Sequence, residues 1–225
     1  MTLRLNPVLW ATAALLLTGT AQAQSMPGAL SVRLGATRIA PAVTSGNLTA
    51  PSFAGTQADV TANTQPTGGL TWTIDDHLAV DVPLALGFKH DLIGAGTITG
   101  VGKIGETRAL PISLLLQYRF LEPSAQFRPY VGAGPTYAKF YKARSTAALT
   151  GLTGGNPANP TTLSIDSKLC LTAQIGASVQ LTPTWSLDMA VLKTALKTTA
   201  HLSTGQTLDV TLNPTSYSVG LAYQY

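Results

Sequence analysis

Charge is what this chain has least of. Only 11% of its 225 residues are Asp, Glu, Lys or Arg while 45% are hydrophobic, whereas about a quarter charged is usual for a soluble domain. Cysteine is nearly absent: Cys170 stands alone, which excludes a disulfide within the chain despite an exporting route, and it is read as an inert thiol on the polar face of a strand. Three histidines, His77, His90 and His201, offer too few ligands at too wide a spacing for a metal centre, so no metal or other cofactor is expected. The net charge of +4 is spread without a Lys/Arg cluster, which gives nucleic acid no electrostatic footprint. Long apolar runs are missing too. Beyond the N-terminus none approaches the ~20 residues that a membrane helix needs.

The one apolar run, Val8 to Leu17, follows Arg4 and precedes Ala21-Gln22-Ala23. A basic start, a short greasy middle and small residues before the cut make a secretory signal peptide, residues 1–23, cleaved before Gln24. Residues 24–225 are then one domain.

What is present in that domain is alternation. In Leu163 to Leu181, odd-numbered residues are apolar except Ser167, and no large hydrophobe falls between them. Side chains in a strand alternate faces, so the segment has one greasy and one wet side; a helix would scatter the same residues all round. Seven further segments behave alike. They run from Leu30, from Gly68, from Leu78 to Phe88, from Leu110 to Phe120, from Arg128, from Trp185 and from Leu208. The apolar row of the last segment switches parity at Asn213-Pro214, which predicts a bulge. Low charge, no spanning helix and period-2 alternation together predict an all-β chain: an eight-stranded antiparallel transmembrane β-barrel of the outer-membrane type, apolar toward lipid and polar within.

Connections alternate in length. Short turns at 75–77, 121–127 and 182–184 are expected on the periplasmic side, and long loops at about 41–66, 90–108, 142–162 and 202–206 outside the cell. Trp72, Tyr118, Phe120, Trp185, Tyr223 and Tyr225 are the expected interface aromatics. Parity places Arg33, Ala79, Asp81, Ala85, Leu115, Gln117, Arg119, Gln174, Asp188 and Leu192 in the lumen. Lys89, His90, Asp91, Lys103, Glu106 and Arg108 form a rim cluster of mixed sign. His90 beside Asp91 is the nearest thing to a catalytic base with its orienting acid. Adjacent strand residues point apart, however, and no nucleophile accompanies them, so the chain is not read as an enzyme. Gly100 to Gly105 has the spacing of a dinucleotide fingerprint, but Pro111 and strict alternation follow where that motif requires a helix.

Phe88-Lys89-His90-Asp91, Gly102-Lys103-Ile104-Gly105-Glu106-Thr107, Leu114-Leu115-Leu116-Gln117-Tyr118 and Arg128-Pro129-Tyr130-Val131-Gly132-Ala133-Gly134 resemble the outer membrane protein W (OmpW) family. So do the start at Val32 to Ala36 and the ending at Leu212-Asn213-Pro214. One departure is Tyr225 where the family usually ends in Phe. The resemblance implies a narrow, partly hydrophobic lumen, passive passage of small hydrophobic molecules across the outer membrane, lateral exit through the wall and, in some members, reception of bacteriocins. Pro83, Pro111 and Pro135, each inside a strand, are the candidates for a weakened wall. The expected partners are outer-membrane lipids and lipopolysaccharide, a small hydrophobic solute, and the barrel-insertion machinery acting on the C-terminal strand of a monomer. The alternative is a plugged barrel that serves as a surface receptor through its loops.

Overall fold

The computed structural model describes residues 27–225; the expected leader lies outside the described residues. β1 (Leu30–Ala40) pairs with β4 (Asn63–Thr73), and the connection between them carries β2 (Thr44–Ser45) and β3 (Thr56–Val60). A tight turn leads into β5 (Leu78–Ala85), which resumes after Leu86 and Gly87 as β6 (Phe88–Gly96). The chain returns through β7 (Lys103–Ser113) and, past Leu114, β8 (Leu115–Arg119). β9 (Phe127–Ser145) is unbroken and precedes a short helix, α1 (Ala147–Leu152). The last three passes are β10 (Leu163–Ile165) with β11 (Lys168–Gln180), β12 (Trp185–Ala195) with β13 (Lys197–Leu202), and β14 (Thr207–Thr211) with β15 (Thr215–Gln224). Pairing runs β1–β4–β5–β8–β9–β11–β12–β15 and back to β1, so eight antiparallel passes close into a barrel. Closure is what lets backbone amides sit in hydrocarbon, because no edge is left to solvate.

The outer face is built from exposed hydrophobes, among them Leu34, Leu86, Leu116, Leu169, Leu171 and Val219. In β1 the outward row runs Leu30, Leu34, Ala36 and then Arg38; in β12 it runs Trp185, Met189, Val191 and then Lys193. Eight residues at ~3.4 Å make roughly 27 Å along the strand, and a ~40° tilt leaves about 20 Å of apolar height, close to the band of a membrane barrel. Aromatics mark the short-turn end of this band. Tyr118 meets Phe120 edge-on at 5.1 Å, and Trp185, Tyr223 and Tyr225 form a chain with centroids 5.1 and 4.8 Å apart. Trp72, in register with Leu30, stands at the same level.

Three strand readings need correction. The pass expected to run unbroken from Leu78 to Phe88 is interrupted at Leu86–Gly87, and facing inverts there: Leu84 and Leu86 point out, whereas Phe88 is buried inside and Lys89 is exposed. The segment from Leu163 is interrupted at Asp166–Ser167, so Leu163 is buried and Ile165 lies inside while Leu169 and Leu171 face out. Ser167, the one polar residue in the apolar row, marks the slip. In the last pass the parity change is no change of facing. Leu208 and Leu212 above and Gly220 and Ala222 below are all buried on one side, so the interior itself changes chemistry along the barrel.

Much of what reads as loop is also ordered. Within 41–66 lie β2, β3 and the start of β4; within 90–108 lie most of β6 and the start of β7; within 142–162 lies α1. β10, β13, β14 and β2 make a separate four-stranded sheet beyond the apolar band. Leu48, Ile98, Ile104, Leu149, Leu163 and Leu202 join these pieces in one buried cluster. Gly and Pro had signalled loop, but burial of that cluster holds the segments in register.

Candidate functional site

Inside the short-turn half, a polar network crosses the lumen. Arg33 on β1 donates from one guanidinium nitrogen to Asp188 on β12 at 2.7 Å and from another to Asp81 on β5 at 3.4 Å. Asp81 also accepts from Thr71 at 2.8 Å and from Gln174 at 3.3 Å, and Gln117 donates to Gln174 at 2.9 Å. The Tyr130 hydroxyl donates to Asp188 at 3.1 Å, and the Arg119 guanidinium lies 5.4 Å over the Tyr130 ring. Asp81 is wholly buried and Gln117 nearly so. An uncompensated charge at such a site is costly, and here opposed charges and hydrogen bonds from seven strands meet, with Gln117 Oε1 and Arg119 Nε left without a hydrogen-bond partner among the described residues. The expected lumen residues Arg33, Asp81, Gln117, Arg119, Gln174 and Asp188 thus come together as a plug, with Ala79 and Leu115 buried beside it.

Tyr130 was not expected there, since the parity of its strand is blurred by Gly132 and Gly134. The usable signal lies on the neighbouring strand. Gly176 is the register partner of Tyr130, and a methyl group there would overlap the phenol ring. Above the plug a row of hydroxyls runs round the wall, Ser113 to Thr136 at 2.7 Å, Thr136 to Thr172 at 2.6 Å and Thr172 to Thr194 at 2.8 Å.

Beyond that row the interior opens. A first chamber is lined by Pro83, Ala85, Phe88, Pro111 and Leu192 and reaches the outward residue Leu84. A second, sharing Ile39, Pro111, Thr194 and Ser216 with the first, extends toward the long loops between Phe140, Ile165, Leu196, Leu208 and Leu212. Ala85 and Leu192, expected in the lumen, therefore line the chamber rather than the plug.

The wall is incomplete beside it. Pairing between β5 and β8 runs from Leu78–Tyr118 to Asp81–Leu115 and resumes between β6 and β7 at Phe88–Ala109. Residues 82–87 and 110–114 carry no ladder between them. Pro83 and Pro111 stand on the two sides of this slot, each lacking an N–H to bridge it. Their other neighbours remain paired, Pro83 with Gly69 and Pro111 with Ala138, so this is an opening within a closed barrel. Two backbone groups beside it have other partners: Leu114 donates to the Pro135 carbonyl at 3.1 Å, and the Gln65 amide donates to the Leu86 carbonyl. Pro135 itself pairs with Leu171 in the continuous wall and is not at the slot.

At the long-loop end, Lys103 bridges Asp91 at 2.8 Å and Glu106 at 2.7 Å, and Lys89 reaches Glu106 at 3.0 Å. Hydrogen bonds from Lys103 and Lys89 hold the Glu106 carboxyl well down, at about 2. Arg108 faces Lys89 in register but belongs to no ion pair among the described residues. His90 leaves the cluster altogether. It turns inward above the level where the outer row becomes charged at Lys89, and its Nδ1 lies 2.6 Å from the Thr61 carbonyl. Burial holds that imidazole below the usual histidine range. His90 and Asp91 point apart, so they make no base–acid pair. A second rim pair of bonds, Asp166 with Lys168 at 3.0 Å and with His201 at 3.3 Å, went unforeseen because Asp166 and Lys168 read as the wet face of one unbroken strand and His201 lies far off in sequence.

The OmpW family profile matches residues 26–225. The chain belongs to the OmpW family. Outer membrane protein W of Vibrio cholerae serotype O1 is 30% identical over 204 residues, covering 88% of this chain and 89% of that one. The protein of the same name from Escherichia coli K12 is 29% identical over 214 residues, covering 93% and 94%. The crystal structure of the outer membrane protein OprG from Pseudomonas aeruginosa superposes with a TM-score of 0.80 at 24% identity, over 91% of this chain and 99% of that one. The solution structure of E. coli outer membrane protein W gives 0.58 at 25% identity, over 89% and 100%. This OmpW-family barrel is therefore an outer-membrane protein.

Proposed function

We propose that the barrel conducts small hydrophobic molecules passively from its long-loop end into the chamber and then sideways, through the slot between Pro83 and Pro111, into the bilayer. The observation that carries this reading is the conjunction of a polar plug and an open wall. The axial route passes through buried charge, where an apolar solute gains nothing and the plug would have to break. The lateral route runs between apolar surfaces and requires no ladder hydrogen bond to be broken. In this reading the long loops are extracellular, and Arg38, Lys89, Arg108, Lys139 and Lys193, which end the outward apolar rows, meet the phosphates of lipopolysaccharide. β15, with Tyr223 and Tyr225, is the strand presented to the insertion machinery, and the closed barrel works as a monomer without a cofactor. The four-stranded sheet at the long-loop end favours a second reading, a surface receptor, because an ordered platform is a ready contact surface.

The test joins the two sides of the slot. In a Cys170→Ala background, Leu84→Cys and Ile112→Cys are bridged by a thiol-specific linker, and cellular uptake of N-phenylnaphthylamine is followed. Uptake should fall to that of cells lacking the protein once the bridge forms. Undiminished uptake in bridged protein would refute lateral exit, and uptake indifferent to the protein altogether would leave the receptor reading.

A further inference from the structure

The upper chamber is largely apolar, yet among the polar side chains that line it, beside Thr136, Thr194, Thr198 and Ser216, are two that a purely hydrocarbon cargo would leave unused. His90 and Thr107 are directly opposed on β6 and β7, both face inward, and both line the upper chamber. Opposed residues of an antiparallel pair place their Cβ atoms about 5 Å apart, close enough for one small group to touch both. Thr107 is 3% exposed, and its hydroxyl has no hydrogen-bond partner among the described residues. His90 is 4% exposed and spends Nδ1 on the Thr61 carbonyl, an acceptor only, so Nδ1 is the protonated nitrogen. That fixes the tautomer and leaves Nε2 as a lone-pair acceptor. A buried hydroxyl without a partner carries a desolvation cost that an apolar occupant cannot relieve. The wall around the two is Ala109, Leu92, Phe140 and Leu212, none of which can hydrogen-bond through its side chain.

We propose that His90 and Thr107 form a head-group subsite for a small amphipathic solute, an aliphatic or aromatic alcohol, whose hydroxyl donates to His90 Nε2 and accepts from the Thr107 hydroxyl while its apolar body fills the chamber. This rests on the hydrophobic-passage reading and narrows it. One donor and one acceptor suit a hydroxyl. A ketone satisfies Thr107 alone, a hydrocarbon satisfies neither, and a carboxylate meets a lone pair where it needs a proton. Neighbouring charge does not interfere, because Lys89, Asp91, Glu106 and Arg108 alternate to the other face of the same strands.

The experiment uses the full barrel in nanodiscs, with ¹⁵N-labelled histidine, titrated with octanol and with octane at equal mole fraction in the bilayer. Octanol should shift the His90 Nε2 resonance and saturate at about fivefold lower concentration than octane, the value of two neutral hydrogen bonds at the lower end of their range. Thr107→Val, which keeps shape and removes the hydroxyl, should reduce that preference severalfold. His90→Phe should abolish it, octane occupancy followed through Phe88 being retained. If octanol and octane fill the chamber equally, or Thr107→Val leaves the preference intact, the subsite is refuted while hydrophobic passage stands. If neither molecule perturbs Phe88 or His90, both fall together.

Discussion

At the scale of single residues the plug is the most exacting feature of the molecule. Arg33 holds two carboxylates from opposite sides of the barrel, so its removal leaves Asp81 and Asp188 buried with one another. Arg33→Ala is expected to destabilise the barrel by roughly 3–5 kcal/mol, the range for breaking a buried pair by deleting one partner, read by urea unfolding in detergent. The same change should also raise ion conductance in planar bilayers, since no second buried ion pair crosses the lumen among the described residues. Conductance equal to that of the unaltered protein would place the block elsewhere. Gly176→Leu should cost stability of similar order, because the Tyr130 ring occupies the space and overpacking shifts it off Asp188. The inward charges were legible in sequence because each falls on the polar parity of an alternating strand. Tyr130 was not, because an aromatic residue reads equally well as lipid-facing and only its glycine partner betrays it.

Among the elements, the interruptions set the shape of the wall and of the interior. Breaks fall at Leu86–Gly87, Leu114, Asp166–Ser167, Leu196 and Leu212–Pro214, and two of them are tied together: Leu196 donates to the Asn213 side chain at 3.0 Å and accepts from Leu212 at 2.8 Å. Asn213 takes a positive φ of 32°, a conformation Asn tolerates better than most residues. Only the first and third breaks invert facing, so a parity count made from sequence goes wrong beyond them. The long loops were misread for a related reason. Short strands bounded by Gly and Pro resemble loop until the buried cluster that orders them is known. The hairpin of β6 and β7 is held at its outer face by Lys89, Asp91, Lys103 and Glu106. Since the Glu106 carboxyl lies at about 2 in the folded chain against an ordinary 4.5, the network contributes fully above 4.5 and is lost as pH falls toward 2. Amide exchange across residues 103–108 should therefore accelerate relative to β11 over that interval. An unchanged ratio would show that packing alone holds the hairpin, and Glu106→Gln should reproduce the acid behaviour at neutral pH.

For the whole molecule, one period-2 pattern serves two different solvents. In the lower barrel, apolar rows face outward and the interior is a hydrogen-bonded polar network. Toward the long loops the interior becomes apolar, and the outer rows end in Lys and Arg. The eight-pass barrel was legible from alternation and low charge alone, and the family from short motifs. The change of interior was visible only as a switch of parity near Asn213, where slippage and a new lining look alike in one dimension. The slot in the wall therefore sets residues 82–87 between the lipid-facing band and an apolar chamber.

The most direct test is to place protonated octane in a bilayer of deuterated lipid and to map its magnetisation transfer to the barrel by solid-state NMR. Transfer should reach Leu84 and Ile112 at the slot and Phe88, Ala85 and Leu192 inside, and should stop at the plug, leaving Ala222 and Gln224 silent. Transfer confined to outward residues, or extending past Arg33 to the short-turn end, would contradict the account.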